Sequence, residues 1–428
     1  MDVSSLSESP DQAPPLAETG RPRGGGWRVG FRALRHRNFR LFTSGQLVSL
    51  IGTFMQTAAQ SWLVWERTRS EWLLGAVWFC SQIPVFVLAP LGGVVADRYS
   101  RHRIVVVTQT LAMLQAFVLA TLTLTGRVQV WHIFVLATLL GVVNAFDMPG
   151  RQSLLIQMTG KEDLLSAISL NSAMFNSARV VGPSVAGLVV AAVGEGRCFL
   201  VNGLSFLAVI GALVAMRLPR FVRGAVAPPW EHLVDGFRYV RGAAPIRTLL
   251  LMVAAVSICT MPAMVLMPVF ADVVFHRGPR GLGFLMGAMG IGAVCGTLVL
   301  ARRTRTAGLP GVMFYGALIL GTAFLTFGFL SSFPVALVVM MAAGFSAMRQ
   351  NASANTLIQT LVPDDYRGRI MALYSMTVVG MGPFGSLAAG VLAGHIGARG
   401  TLLVSGTLIL AAAAVFRSRV LRLSGAFK

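Results

Sequence analysis

LLIQMTGKED at residues 154–163 and TLIQTLVPDD at 356–365 read as one segment written twice. Leu155, Ile156, Gln157 and Asp163 fall over Leu357, Ile358, Gln359 and Asp365 at an offset of 202. Outward from that anchor the match continues. GPSVAG at 182–187 roughly parallels GPFGSLAAG at 382–390, and Arg197 parallels Arg399. A fixed offset of this size marks two copies of one large unit, so the fold is a duplication.

The composition says where that unit lives. Of 428 residues, 55% are apolar and only 12% charged, about half the charged share of a soluble domain. A bilayer span takes about 20 apolar residues, and such stretches occur at about 41–65, 73–96, 104–124, 131–157, 164–193 and 199–216. After a polar interruption they resume at about 246–272, 281–301, 311–331, 334–361, 370–394 and 399–416. The expected fold is an all-α membrane protein of twelve transmembrane helices in two pseudo-symmetric six-helix halves. Internal repeats of this kind belong to secondary transporters, whose substrate site forms between the repeats. The expected organisation is a tail with a basic amphipathic segment (1–40), a first half (41–216), a linker (217–245), and a second half with a short tail (246–428).

The net charge of +20 raises the question of nucleic acid, but its distribution answers it. With both termini inside, the inner segments hold 27 basic residues and the outer loops seven. That asymmetry is the positive-inside rule at work and sets a cytoplasmic location for both ends of the chain. Residues 1–26 lack the apolar centre of a signal peptide and read as a disordered tail. The stretch from Arg28 to Arg40 reads as a short helix lying on anionic headgroups.

Cys80, Cys198, Cys259 and Cys295 sit in apolar segments with no CxxC or Cys/His spacing, so neither a disulfide framework nor a metal site is expected. The glycines of span eight, Gly283, Gly287, Gly290, Gly292 and Gly296, suit close helix packing rather than nucleotide binding. No GxxxxGK[ST] motif is present, so the chain has no ATP site of its own. An intramembrane enzyme would need convergent acids, a metal cluster or an activated nucleophile, and the sequence offers none; no cofactor is expected.

Between spans two and three stands Gly93-Val-Val-Ala-Asp97-Arg98-Tyr-Ser-Arg101-His-Arg103. This resembles the signature loop of the major facilitator superfamily, and the two-repeat layout extends the resemblance across the membrane portion. The resemblance implies that Gly93 permits close helix approach. It also implies that Asp97 and Arg101, flanked by Arg98 and Arg103, latch the two halves on the cytoplasmic side. In span five, Gly182, Pro183 and Gly187 resemble the Gly-Pro kink motif of the superfamily's exporters. With NTLIQTLVPDDYRGRIMALYS at 355–375, the chain is similar to the enterobactin-exporter and macrolide-efflux branch.

Ionisable residues inside spans are costly and are treated as site candidates. They are Asp147, Arg179 and Arg349, with Asp272 near an outer end. Asp147 and Arg349 differ by 202 and are expected to occupy equivalent places facing each other across the cavity. There Asp147 would carry a proton, with Arg349 as its partner or the substrate's counter-charge. The alternative is a static pair of Asp147 with Arg151 one turn away. Where many proton-coupled members carry Arg four residues before the glycine of span four, this chain has Ala137 before Gly141. Asn144, Asn176 and Asn351 complete the polar cavity, with Gln56 and Gln350 among further amides.

The expected activity is export of amphipathic small molecules, siderophore-like or drug-like, by alternating access with proton antiport in a bacterial inner membrane. The chain is expected to act as a monomer without nucleic acid. An importer of the same fold shares every feature except the Gly-Pro mark. A receptor without turnover is the remote alternative.

Overall fold

The computed structural model describes residues 31–160, 162–217, 229–301 and 308–422. The first half comprises α1 (Arg37–Thr68), α2 (Glu71–Arg98), α3 (Arg101–Leu124), α4 (Val130–Thr159), α5 (Leu164–Val193) and α6 (Glu195–Val214). An intervening amphipathic helix, α7 (Pro229–Gly242), leads to α8 (Ala244–Val265), α9 (Gly278–Ala301), α10 (Leu309–Phe329), α11 (Phe333–Leu361) and α12 (Asp364–Arg422). Among the described residues ten helices are long and apolar enough to cross a membrane. One of these, α12, is two helices joined at Gly397, whose φ of 72° and ψ of 167° no helix accommodates. Counting its two arms separately and adding the more polar α1 gives two sets of six.

Gly397 has a counterpart. Gly194, with φ 82° and ψ 168°, separates α5 from α6 in the same conformation. A positive φ at a helix C-terminus is the place where glycine carries no Cβ penalty. The two glycines lie 203 residues apart.

The helix packing repeats as well. In the first half α1 packs on α5 and α6, α2 on α4, and α3 on α4 and α6. In the second half α8 packs on α12, α9 on α11, and α10 on α11 and α12. Two extensive pairings join the halves, α2 with the first arm of α12 and α5 with α9. Both rest on backbone against backbone. A Cβ added to Gly187 would stand 2.8 Å from the Gly283 Cα, and one on Gly75 would stand 2.7 Å from the Gly390 Cα. Small residues let membrane helices approach this closely, and dispersion then does the work that the hydrophobic effect does in water.

The expected surface helix at 28–40 takes another form. Its described part is a 3₁₀ turn, Arg32–Arg35, followed directly by the start of α1. Arg32 and His36 contact the Asp163 carboxylate, Ala33 N–H donates to Ser166 Oγ, and Phe39 is buried. The segment is thus fastened to the helical body by specific contacts. The tail at 1–26, residues 27–30, Lys161 and residues 218–228 of the linker lie outside the described residues.

Candidate functional site

The charged side chains at the two ends and in the interior of the helix bundle fall into three groups. The first closes the face opposite the chain termini, hereafter the far face. There α8 ends, continues through a single turn at Met267–Val269, and opens into a π-helical turn, Phe270–Val274. The wider turn, in which Phe275 N–H reaches the Phe270 carbonyl, displays Asp272 toward the first half. Trp65 Nε1 of α1 donates to the Asp272 carboxylate at 2.9 Å, and the Arg69 guanidinium pairs with the same oxygen. Arg69 is held for this contact. Its left-handed backbone (φ 49°) caps α1, and its guanidinium lies 5.4 Å from the Trp65 ring centroid. π-bulges concentrate at functional positions, and this one carries the charged contact between the halves at the far face.

The second group, at the terminal face, is the signature loop. Asp97, Arg98 and Arg103 are exposed, and Asp97 makes no ion pair among the described residues. Arg101 Nη1 lies 3.5 Å from the Ser153 carbonyl of α4. The close-approach role expected of Gly93 falls to its neighbour. A Cβ on Gly92 would collide with the Ala145 carbonyl oxygen, whereas one on Gly93 meets nothing within 4 Å. The inner part of α2 is uncovered, with Val87 and Leu91 more than half exposed. Among the described residues the hydrogen bond and ion pair that join the halves lie at the far face, and none joins them at the terminal face.

The third group lies inside. Asp147, 1% exposed, is fully engaged: Thr108 Oγ1 donates at 2.8 Å, Gln109 Nε2 at 2.9 Å, and Arg151 pairs one turn along α4. No ion pair joins Asp147 to Arg349 among the described residues, and the repeat register explains why. Gly141 packs on the Ser81 carbonyl of α2 as Gly344 packs on the Met289 carbonyl of α9, an offset of 203. Burial agrees with that register. Leu154 and Leu155 are buried, as are Leu357 and Ile358, while Ile156 is 43% exposed. The counterpart of Asp147 is therefore Gln350, also 1% exposed and set against α10 at Gly316.

One residue of slip turns a helix by about 100°, and Arg349 accordingly points elsewhere. It lies eleven residues, or about three full turns, beyond Val338, which is 66% exposed on the outward side of α11. Its guanidinium sits 5.1 Å from the Phe345 ring centroid. Arg349 is half-buried with its Nε unpartnered, and among the described residues it makes no contact with Asp147. The same register pairs Gly182, set on α1, with Gly385, set on α8, so Pro183 and Pro383 bend their helices at different levels.

Arg179, near the middle of α5, lies on the side of that helix away from Val181. Val181, exposed toward lipid, lies two residues on and so about 160° round the helix. Arg179 rests over Phe175 at 5.2 Å and makes no hydrogen bond or ion pair among the described residues. Asn144 is half-buried on α4. Asn176 turns its amide back to the Ser172 carbonyl, and the Asn351 carbonyl accepts from Tyr374. Gln56 is not a cavity residue. It is locked between Gln115 at 2.9 Å and Asn202 at 2.7 Å, tying α1 to α3 and α6. No cluster of candidate metal ligands occurs among the described residues.

Reading the sequence missed the far-face contact. Asp272 stood out as an acid near a span end, but its partners are more than 200 residues away with no motif to link them. Thr108 and Gln109 gave no signal at all.

The chain is similar to known proteins along most of its length. The profile of the transmembrane secretion effector family matches residues 29–426. The chain is 28% identical over 394 residues to the multidrug efflux pump Tap of Mycolicibacterium fortuitum, covering 88% of this chain and 95% of that protein. It is 26% identical over 387 residues to the staphyloferrin A transporter of Staphylococcus aureus, with the same coverage. Among solved structures it resembles an inward-facing bacterial homologue of the lysosomal transporter Spinster (TM-score 0.69, 15% identity, 94% of this chain and 98% of that one). A bacterial homologue of ferroportin in an inward-facing state is similar at TM-score 0.69 and 19% identity, covering 92% of this chain and 99% of that one. At these identities the structural likeness speaks to fold.

Proposed function

This chain belongs to the transmembrane secretion effector family of major facilitator transporters, and from that premise we propose that it exports amphipathic small molecules from a bacterial cytoplasm. Export runs by alternating access in exchange for protons, with the protein a monomer in the inner membrane and both termini cytoplasmic. The observation that carries the reading is the asymmetry of the two faces. The halves meet at the far face through Gly75 with Gly390, Gly187 with Gly283, and the Asp272 contact, while Gly93 stands in open space. Two rigid six-helix bodies with interchangeable end contacts form a two-state element.

In this proposal the far-face contact breaks when the cleft opens outward, and Asp97, Arg98, Arg101 and Arg103 then close the terminal face. Asp147 is the proton-carrying group. Arg151, Thr108 and Gln109 hold its charged form here, and a shift of α3 against α4 would release it. The kink at Gly182 and Pro183 gives α5 its bend, with Asn144, Asn176 and Asn351 as polar cavity wall. The name of the relative Tap, a multidrug efflux pump, supports export over import.

The test is proton-gradient-driven uptake of lipophilic dyes, macrolides and siderophores into inverted vesicles, comparing wild type with Asp147→Asn. Gradient-dependent uptake lost in the variant is the expected result. Uptake that keeps its gradient dependence in the variant retires Asp147 as the proton site, and no uptake of any compound overturns the exporter reading.

A further inference from the structure

Resting on the exporter reading above, we infer that Arg179 is the substrate-charge receptor of the cleft and that the transported class is anionic: amphiphiles with a carboxylate or similar oxyanion beside an apolar or aromatic body.

Both acids within the bundle already have partners. Asp147 is matched by Arg151, and Asp272 by Arg69. Arg349 is also without an ion pair among the described residues, but it stacks on Phe345 and shares the face of α11 that Val338 exposes. Arg179 is left over, a guanidinium near the middle of α5 that meets only the Phe175 ring among the described residues. A permanent cation held at that depth without a carboxylate partner is expensive, and such residues mark substrate pathways. The fork of N–H donors on a guanidinium matches the geometry of a carboxylate, and charge-assisted bonds of this kind are strong where water is scarce.

The surroundings fit such a ligand. Phe175 lies one turn before Arg179 and packs edge-on against Phe54 of α1, with ring centroids 5.2 Å apart. An aromatic shelf thus adjoins the cation, ready to take the apolar body of the same molecule. By the 203-residue register the counterpart of Arg179 is Gly382, and a Cβ there would meet only the Met261 sulfur, at 3.8 Å. The cleft is therefore charged on one wall and vacant at the equivalent place on the other. A cationic substrate would meet an uncompensated like charge and, among the described residues, no free acid at this level.

The test is equilibrium binding, which does not depend on turnover. Pyrenebutyrate and its neutral isostere pyrenebutyramide would be titrated by fluorescence into the full chain in phosphatidylcholine nanodiscs at neutral pH, with empty discs subtracted. Wild type should bind the carboxylate about tenfold more tightly than the amide. Arg179→Gln should abolish that preference by weakening the carboxylate alone, Arg179→Lys should retain part of it, and Arg349→Gln should leave it intact. A merely structural role for Arg179, stacked on Phe175, would lower thermal stability without altering the preference between the two probes. Equal affinities in wild type, a preference that survives Arg179→Gln, or no saturable carboxylate binding would each overturn the inference. Charge-selective binding that depends on Arg179, found together with no gradient-driven flux, would overturn the exporter reading and leave this one standing.

Discussion

Replacing Asp272 by Ala should shift the chain toward a state open at the far face. The contact has two parts. The Arg69 side chain is 57% exposed, so its ion pair with Asp272 contributes only about 0.2–1 kcal/mol after solvent screening. The Trp65 hydrogen bond at 2.9 Å is half-buried, and its acceptor is charged. In that setting it contributes about 1–1.5 kcal/mol, between the membrane average and the value for charged acceptors. Together they come to about 2 kcal/mol, or a factor of about 30 in the equilibrium between the two states. An interaction biases that equilibrium only if one state makes it and the other does not, and both of these span the halves. A population of about 97:3 would move to near parity. Spin labels at Arg127→Cys and Ser331→Cys, on far-face loops of the two halves, report the separation by pulsed electron resonance. The long-distance fraction should rise strongly in Asp272→Ala and modestly in Asp272→Asn, whose amide oxygen can still accept from Trp65. An unchanged distance distribution in Asp272→Ala would refute the assignment of this contact as the far-face gate.

Three further outcomes follow from the packing. Gly92→Ala should lower the melting temperature through an overpacking strain of about 1–3 kcal/mol, because its Cβ meets the Ala145 carbonyl, while Gly93→Ala should leave it unchanged; equal effects would refute the placement of these glycines. Asp147→Ala should destabilise by about 3–5 kcal/mol by stranding Arg151, and Asp147→Ala with Arg151→Ala should recover much of that loss in a thermal-melt cycle; additive losses would count against a coupled pair. Gln56→Ala should cost about 1–2 kcal/mol through two severed amide bonds and leave substrate affinity unaltered, whereas a change in affinity would return Gln56 to the cavity wall.

Much of this architecture is legible in the amino-acid pattern, because bilayer solvation imposes long apolar runs and the duplication repeats them. Register is where the reading slipped. The shared Leu-Ile-Gln at 155–157 and 357–359 aligns at 202, yet burial and glycine contacts place the repeat at 203. In a soluble amphipathic helix, polar residues on one face would expose such an error. Here both the lipid side and the packed side are apolar, so a one-residue shift leaves hydropathy untouched and rotates every polar side chain. Asp147 was thereby set opposite Arg349 in place of Gln350, which the reading named only among further cavity amides. The far-face contact was hidden for a different reason. It joins residues from separate halves, and only the docking of those halves brings Trp65 and Arg69 to Asp272.

The glycine crossings set a mechanical advantage. Along α5, Gly187 stands six residues from the far end at Val193 and 23 from the other end at Leu164. At 1.5 Å per residue the two arms measure about 9 and 34 Å, a leverage of nearly four to one. Pivoting about that crossing by about 10° would sweep the long arm through about 6 Å while the short arm travels under 2 Å. A bond between Trp65 and Asp272 is outstretched by so small a displacement, so one short-range contact at the far face can govern a wide aperture at the other. The terminal face has no such economy and must be sealed over a broad gap, a task left to the long side chains at a tight helix junction, where Asp97 and Arg98 end α2 and Arg101 and Arg103 begin α3.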